Sequence, residues 1–214
     1  MGPIAKILRI NRGNRFLTLT STATKSVSIP QWRREHSGNG ETYPEVPFNQ
    51  GDVITTVLTC AGGETIHLTL DTTLPRSYSR QFTVRGTKGS YMQDTNTVFL
   101  DGQKEYWEPV DYYKKTLNNA VAYEAEYLPD CWKNVTPEAL AAGHGGMDWL
   151  AYKSFVDAVK NRTEVPIDVY DGATWQAVSV LSEISIQQGG APQAMPDFTN
   201  GAWFKRQSKD VCEL

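Results

Sequence analysis

Two extended runs, Asp52–Cys60 and Glu64–Thr72, are separated only by Ala61-Gly62-Gly63. That spacing constrains the fold more than any other feature of the chain. Parallel neighbours need a crossover of roughly a dozen residues or more, so these runs can pair only as an antiparallel hairpin. In the second run Ile66, Leu68 and Leu70 share one face while His67 and Thr69 share the other, which predicts a sheet with one face on a core. Upstream, Arg15–Thr24 sets Phe16, Leu17 and Leu19 among threonines and reads as a further strand. Downstream, Gln81–Arg85, the turn Gly86-Thr87-Lys88-Gly89, Ser90–Met92 and Thr97–Leu100 continue a mostly antiparallel meander.

Helices frame this middle. Pro3–Leu8 predicts a helix with Pro in its first turn, ended by Asn11-Arg12-Gly13-Asn14. From Lys25 to Gly51 periodicity is lost and Pro, Gly, Ser and Asn accumulate, which predicts a long loop with at most short ordered pieces. Asp111–Tyr127 reads as helical. Met147, Leu150, Ala151, Phe155, Ala158 and Val159 recur at three- and four-residue spacing, as on an amphipathic helix. After Pro166–Tyr170 a second helix carries Ala173, Ala177, Val180, Leu181 and Ile184 on one stripe, and Gly189-Gly190 stops it. Phe198, Trp203 and Phe204 can dock the tail. The 214 residues are expected to form a single α+β domain over 1–214, a mostly antiparallel open sheet covered by helices.

Charge and motif patterns narrow the chemistry. A formal net charge of -3 gives no reason to expect nucleic acid. Lys6, Arg9, Arg12, Arg15, Lys25, Arg33 and Arg34 fall in an opening stretch without Asp or Glu, which reads as a solvated helix end or, alternatively, as contacts to an anionic ligand. No apolar run approaches the roughly 18 residues of a membrane span. Cys60, Cys131 and Cys212 form no CxxC pair, and His36, His67 and His144 are far apart, so no metal site is expected. Neither GxGxxG nor GxxxxGK[ST] occurs, so no cofactor-binding residue is assigned.

Two segments carry sharper hypotheses. In Leu74-Pro75-Arg76-Ser77-Tyr78-Ser79-Arg80, a tyrosine and two arginines near strand ends suit sugar hydroxyls or a carboxylate; the alternative is that Tyr78 is an amphipathic rim residue. In Gly143-His144-Gly145-Gly146-Met147-Asp148-Trp149, His144 precedes a helix N-terminus and can serve structure or a site rim, while Asp148 is expected to cap the helix. The six tryptophans fit packing or carbohydrate stacking equally. No nucleophile–base pair or close carboxylate pair stands out.

A set of segments then carries a resemblance. Gly2-Pro3-Ile4-Ala5 with Ile10-Asn11-Arg12-Gly13, Gly51-Asp52-Val53-Ile54-Thr55-Thr56 and Asp71-Thr72-Thr73-Leu74-Pro75-Arg76-Ser77-Tyr78-Ser79 belong to it. So do Val84-Arg85-Gly86-Thr87-Lys88-Gly89, Gly143-His144-Gly145-Gly146-Met147-Asp148, Pro166-Ile167-Asp168-Val169-Tyr170-Asp171 and Gly189-Gly190-Ala191-Pro192. With these, nearly the whole chain resembles the carboxy-terminal region of the glucose–fructose oxidoreductase / inositol dehydrogenase / MocA family, and within it glycoside hydrolase family 109, the NAD-dependent α-N-acetylgalactosaminidases.

The resemblance implies an N-terminally truncated, substrate-side and oligomerisation part whose NAD-binding Rossmann domain lies upstream, inactive alone. It implies a glycoside substrate, NAD for the full-length protein, and a homo-oligomer formed through the open sheet. In such enzymes the cofactor transiently oxidises the sugar, a neighbouring C–H is deprotonated, the glycosidic group is eliminated, water adds and the ketone is reduced again. Tyr78 matches a tyrosine of the family's substrate pocket and is the expected catalytic residue, with Arg76 and His144 as substrate contacts. Ser77 stands where many relatives carry proline. A sugar or cyclitol dehydrogenase, and a non-catalytic carbohydrate-binding or dimerisation domain, are the alternatives. Bacterial cytoplasm and periplasm both remain open.

Overall fold

The computed structural model describes residues 1–37, 47–103 and 107–212. In chain order its first elements are α1 (Gly2–Ile7), β1 (Phe16–Ala23), α2 (Ser28–His36), β2 (Val53–Cys60) and β3 (Thr65–Asp71). The short strands β4 (Thr83–Gly86), β5 (Gly89–Met92) and β6 (Thr97–Leu100) follow. Next come α3 (Pro109–Thr116), α4 (Val121–Tyr127), α5 (Asp130–Lys133) and α6 (Pro137–Ala141). The chain continues with α7 (Met147–Asn161), α8 (Val169–Gln187) and the short β7 (Gln193–Ala194). It divides into two compact units, Met1–Pro75 with Ala151–Leu214, and Arg76–Leu150.

In the first unit the strands lie in the order β3-β2-β1-β7, every pairing antiparallel. The expected hairpin is present, and its register puts Leu19, Leu58 and Ile66 in one row facing α8. Phe16 and Leu19, three apart, would point to opposite faces of a regular strand, yet both are buried. A register shift between Phe16 and Thr18 resolves the conflict, because one extra residue turns Phe16 inward and leaves Leu17 exposed. The core gathers Ala5, Ile10, Phe16, Leu19, Leu58, Cys60, Ile66, Val178 and Met195. Burial pushes the Cys60 thiol up to about 11, which suits an inert core position. The opposite face is laid with threonine in cross-strand rows, Thr18–Thr59–Thr65, Thr20–Val57–His67 and Thr22–Thr55–Thr69. His67 faces away from the core, as its alternation requires.

Helix α8 shifts the expected stripe: Ala177 and Leu181 pack against the core, but the most buried positions lie beside them. Its buried residues are Asp171, Thr174, Val178, Ser182 and Ser185, whereas Val180 is exposed. The helical period is right but the inward face is mostly polar, so a reading based on apolar residues is rotated off centre. The hydroxyls are satisfied among themselves. Ser21 Oγ and Thr56 Oγ1 are 2.7 Å apart, Thr56 Oγ1 lies 3.3 Å from Ser182 Oγ, and Ser21 N donates to Ser185 Oγ at 2.9 Å. On α7, Leu150 and Ala158 of the expected stripe are buried together with Ser154, while Phe155 and Val159 face out.

The opening basic stretch also departs from expectation. Arg12 is not solvated: it is 4% exposed, and Nη1 donates to Asp171 Oδ1 at 2.7 Å. Asn11, held at φ 63°, donates from Nδ2 to Thr174 Oγ1 at 3.0 Å and to the Tyr170 carbonyl at 3.2 Å. Asp168 caps α8 by accepting from Tyr170 N and Asp171 N, and it pairs with Arg206 from the tail. The Lys6 ammonium donates to the carbonyls of Pro166 and Lys209, and burial, then the Arg12 charge, lowers its pKa.

Within Lys25–Gly51 the structure places α2, where sequence reading gave a loop. Its N-terminus is closed by Asp52, distant in sequence, whose carboxylate accepts from Val27 N, Ser28 N and Ser28 Oγ. These hydrogen bonds, the Ser28 hydroxyl first, hold Asp52 below the usual carboxylate range. Residues 38–46 of that expected loop lie outside the described residues.

The second unit contains the separate meander β4-β5-β6, with Val84, Tyr91 and Val98 in one row. The helix expected over Asp111–Tyr127 is split into α3 and α4, because Asn118 adopts the left-handed region at φ 60°. The Asn119 side chain then bonds Val98 N and Val98 O at 2.7 and 2.8 Å, docking the break on β6.

Arg12→Met leaves Asp171 buried without its cation and is expected to lower stability by about 3–5 kcal/mol in urea denaturation. Burial alone would raise the Asp171 pKa, but the bonds from Arg12, Asp168 N and Asn11 outweigh it and hold it below its ordinary value. A depressed folded-state pKa contributes stability above the unfolded value that is lost as pH falls through the folded one. Wild type should therefore lose stability on acidification below the ordinary carboxylate range, and Arg12→Met should lose less.

Candidate functional site

The connection leaving β3 holds the first predicted segment. Pro75 lacks an N–H and disfavours helical geometry at Leu74, and residues 75–82 join neither a helix nor a strand. Local side-chain bonds shape them instead. Ser79 Oγ donates to the Asp94 carboxylate, 2.6 and 2.7 Å from its two oxygens, and accepts from Gln81 N at 2.8 Å. Gln81 turns the chain at φ 49°. Arg76 Nη1 donates to the carbonyls of Ser77 at 3.2 Å and Ser79 at 3.4 Å, folding back over its own loop.

Tyr78 projects from this braced loop and is 81% exposed. Arg80 Nε donates to Tyr78 Oη at 3.0 Å. Tyr78, Ser77, Ser79, Arg80, Gln93 and Asp94 line an open hollow of about 400 Å³ within the second unit. Its rim presents a phenol, the Ser77 hydroxyl, an amide, a guanidinium and a carboxylate, groups able to hydrogen-bond a polar ligand.

His144 sits in a 3₁₀ turn, His144–Gly146, directly before α7. Its Nδ1 lies 2.8 Å from Asp148 Oδ2, so the ring donates Nδ1–H to the carboxylate. Asp148, expected as a helix cap, thus orients this imidazole. The turn requires Gly143: its φ is 96°, and a Cβ there would stand 2.5 Å from Asp148 Oδ2.

Of the predicted site residues, Tyr78 lines the hollow, Arg76 braces the loop behind it, and His144 lies on a different turn of the same unit. Sequence reading missed the Ser79–Asp94 brace. Its partners are 15 residues apart and are brought together by the β4–β5 hairpin, whose register continues outward through the Gln93 N–H to Phe82 carbonyl bond; the predicted hairpin was the available signal.

Among the described residues no group of three His, Cys, Asp or Glu side chains is placed to hold a metal. The starts of α2 and α8 are not free to take a dinucleotide pyrophosphate. The first amides of α2 are taken by Asp52 and those of α8 by Asp168, and no glycine-rich strand-to-helix turn precedes them. No described helix is long and apolar enough to cross a membrane.

The architecture resembles a solved structure titled "Crystal structure of oxidoreductase domain protein from Kribbella flavida". It aligns over 86% of this chain and 45% of that one with a TM-score of 0.52, at 17% identity, so the likeness is one of fold. Residues 1–205 match the family model described as "Glycosyl hydrolase 109, C-terminal domain". An α-N-acetylgalactosaminidase of Tannerella forsythia is 42% identical over 97% of this chain, and a glycosyl hydrolase family 109 protein of Stenotrophomonas maltophilia is also 42% identical over 97% of it. The chain therefore belongs to glycoside hydrolase family 109, of which it represents the C-terminal domain. It spans 42% and 44% of the lengths of those two relatives.

Gly143→Ala should cost about 1–3 kcal/mol and displace Asp148 from His144, since both backbone and space oppose a side chain. Gly172→Ala, inside α8 with open space around the new Cβ, should instead stabilise by about 0.5–1 kcal/mol. Thermal unfolding of the two variants checks the contrast in sign.

Proposed function

We propose that this chain is the substrate-side part of an NAD-dependent glycosidase that removes α-linked N-acetylgalactosamine, and that Tyr78 contacts the glycoside. Family membership across residues 1–205 carries the reading, together with an exposed tyrosine on a polar, sugar-sized hollow. The Tannerella forsythia relative, an α-N-acetylgalactosaminidase, supplies the substrate class. NAD is assigned to the full-length protein, of which a chain spanning 42% of its Tannerella forsythia relative would be one part. The cofactor supplies hydride chemistry when bound; these residues contribute binding and orientation. On this reading Arg76 holds the loop that presents Tyr78, and His144, oriented by Asp148, contacts the substrate. The open threonine face of the first unit is the surface through which two copies associate.

The test uses the full-length protein with NAD and 4-nitrophenyl α-N-acetylgalactosaminide. Wild type should release nitrophenol, and Tyr78→Phe should lower the rate by about a hundredfold or more. The midpoint of unfolding should stay unchanged, since the hydroxyl is solvent-exposed. Net NADH formation without glycoside cleavage would identify a sugar dehydrogenase instead. Sugar binding without turnover would identify a binding module.

A further inference from the structure

We propose that Arg80 is a positioning residue that fixes the Tyr78 hydroxyl as a hydrogen-bond donor toward the substrate. The proposal rests on the reading of Tyr78 given above and goes beyond it by assigning the polarity of that hydroxyl and the group that sets it. A phenol has one proton to give and an oxygen that can accept. Arg80 Nε donates to Tyr78 Oη at 3.0 Å, which occupies the accepting side of the oxygen. A guanidinium cannot give up its charge near neutral pH and has no acceptor atom, so the bond has one direction only. The proton of Tyr78 must then point elsewhere, and the hollow that both residues line is where a ligand oxygen can receive it.

The loop makes this orientation repeatable. Ser79, between the two residues, is tied to Asp94 by its hydroxyl and accepts from Gln81 N. Arg76 closes the same loop from the other side through the Ser77 and Ser79 carbonyls. Tyr78 and Arg80 therefore project from one braced turn. A donating phenol backed by a fixed cation suits an oxygen whose negative charge grows during reaction, so the effect belongs on kcat more than on KM.

The experiment measures kcat and KM of the full-length protein with NAD and 4-nitrophenyl α-N-acetylgalactosaminide for Tyr78→Phe, Arg80→Met, Arg80→Lys and the double variant Tyr78→Phe/Arg80→Met. Arg80→Met should lower kcat by about ten- to a hundredfold with little change in KM. Arg80→Lys, which keeps a charged donor, should recover part of the loss. The double variant should be no slower than Tyr78→Phe, because a residue that acts through the hydroxyl has nothing to act on once it is gone. Equal activity of Arg80→Met and wild type, with Tyr78→Phe impaired, would overturn the role of Arg80 and leave the reading of Tyr78 standing. Losses that multiply in the double variant would also overturn it. Full activity of Tyr78→Phe would overturn both. If Arg80→Met fails to fold, Arg80→Lys and its combination with Tyr78→Phe carry the same comparison.

Discussion

The first unit depends on one buried ion pair. Arg12 and Asp171 are 4% and 1% exposed, and their 2.7 Å contact joins the turn after α1 to the start of α8. Neither charge is tolerable there alone, because desolvation of an unpaired ion costs several kcal/mol. Each is therefore surrounded by further bonds. Asn11 reaches the same carboxylate, the Asp168 N–H donates to its other oxygen, and Asp168 itself receives Arg12 and Arg206. The pair specifies where α8 begins and how it is rotated. With that fixed, Ser182 and Ser185 fall opposite Thr56 and Ser21, and the hydroxyls between helix and sheet all find partners.

This arrangement leaves the other face of the sheet threonine-rich and largely exposed. The chain leaves β3 into an irregular, exposed segment that no ladder holds. Order there comes from Ser79, Asp94, Arg76 and Gln81 instead, a few polar bonds over a short stretch. Functional groups on such loops keep their side chains accessible while a packed unit supplies rigidity. Tyr78 with Arg80, and His144 with Asp148, follow one pattern. In each, an exposed group able to meet a ligand is oriented by a charged neighbour two or four residues away.

Much of this was legible in the residues. The hairpin followed from Ala61-Gly62-Gly63, and the alternation of Ile66, His67 and Leu68 gave the face of each side chain correctly. Three features were not legible, for physical reasons. The centre of the buried face of α8 was misjudged because most of its buried side chains are hydroxyls and a carboxylate, which composition alone places outside. Helix α2 was missed because the group that caps it, Asp52, comes from the far end of the intervening segment. Arg12 was read as solvated because its partner is 159 residues away. Within the site, Tyr78 and its arginines were visible as residue types near strand ends, but the donor relation between Arg80 and Tyr78 exists only in three dimensions, and the brace from Asp94 needed the β4–β5 register.

The central structural claim is that the turn after α1, β1 and α8 form one cooperative body held by Arg12 and Asp171. Native-state amide hydrogen exchange tests it most directly, read at residues 10–14, 16–21 and 174–185. The account predicts one common opening free energy for these three stretches, well above that of the loop at residues 76–82. Exchange at residues 10–14 that is much faster than, and independent of, that in β1 and α8 would contradict it.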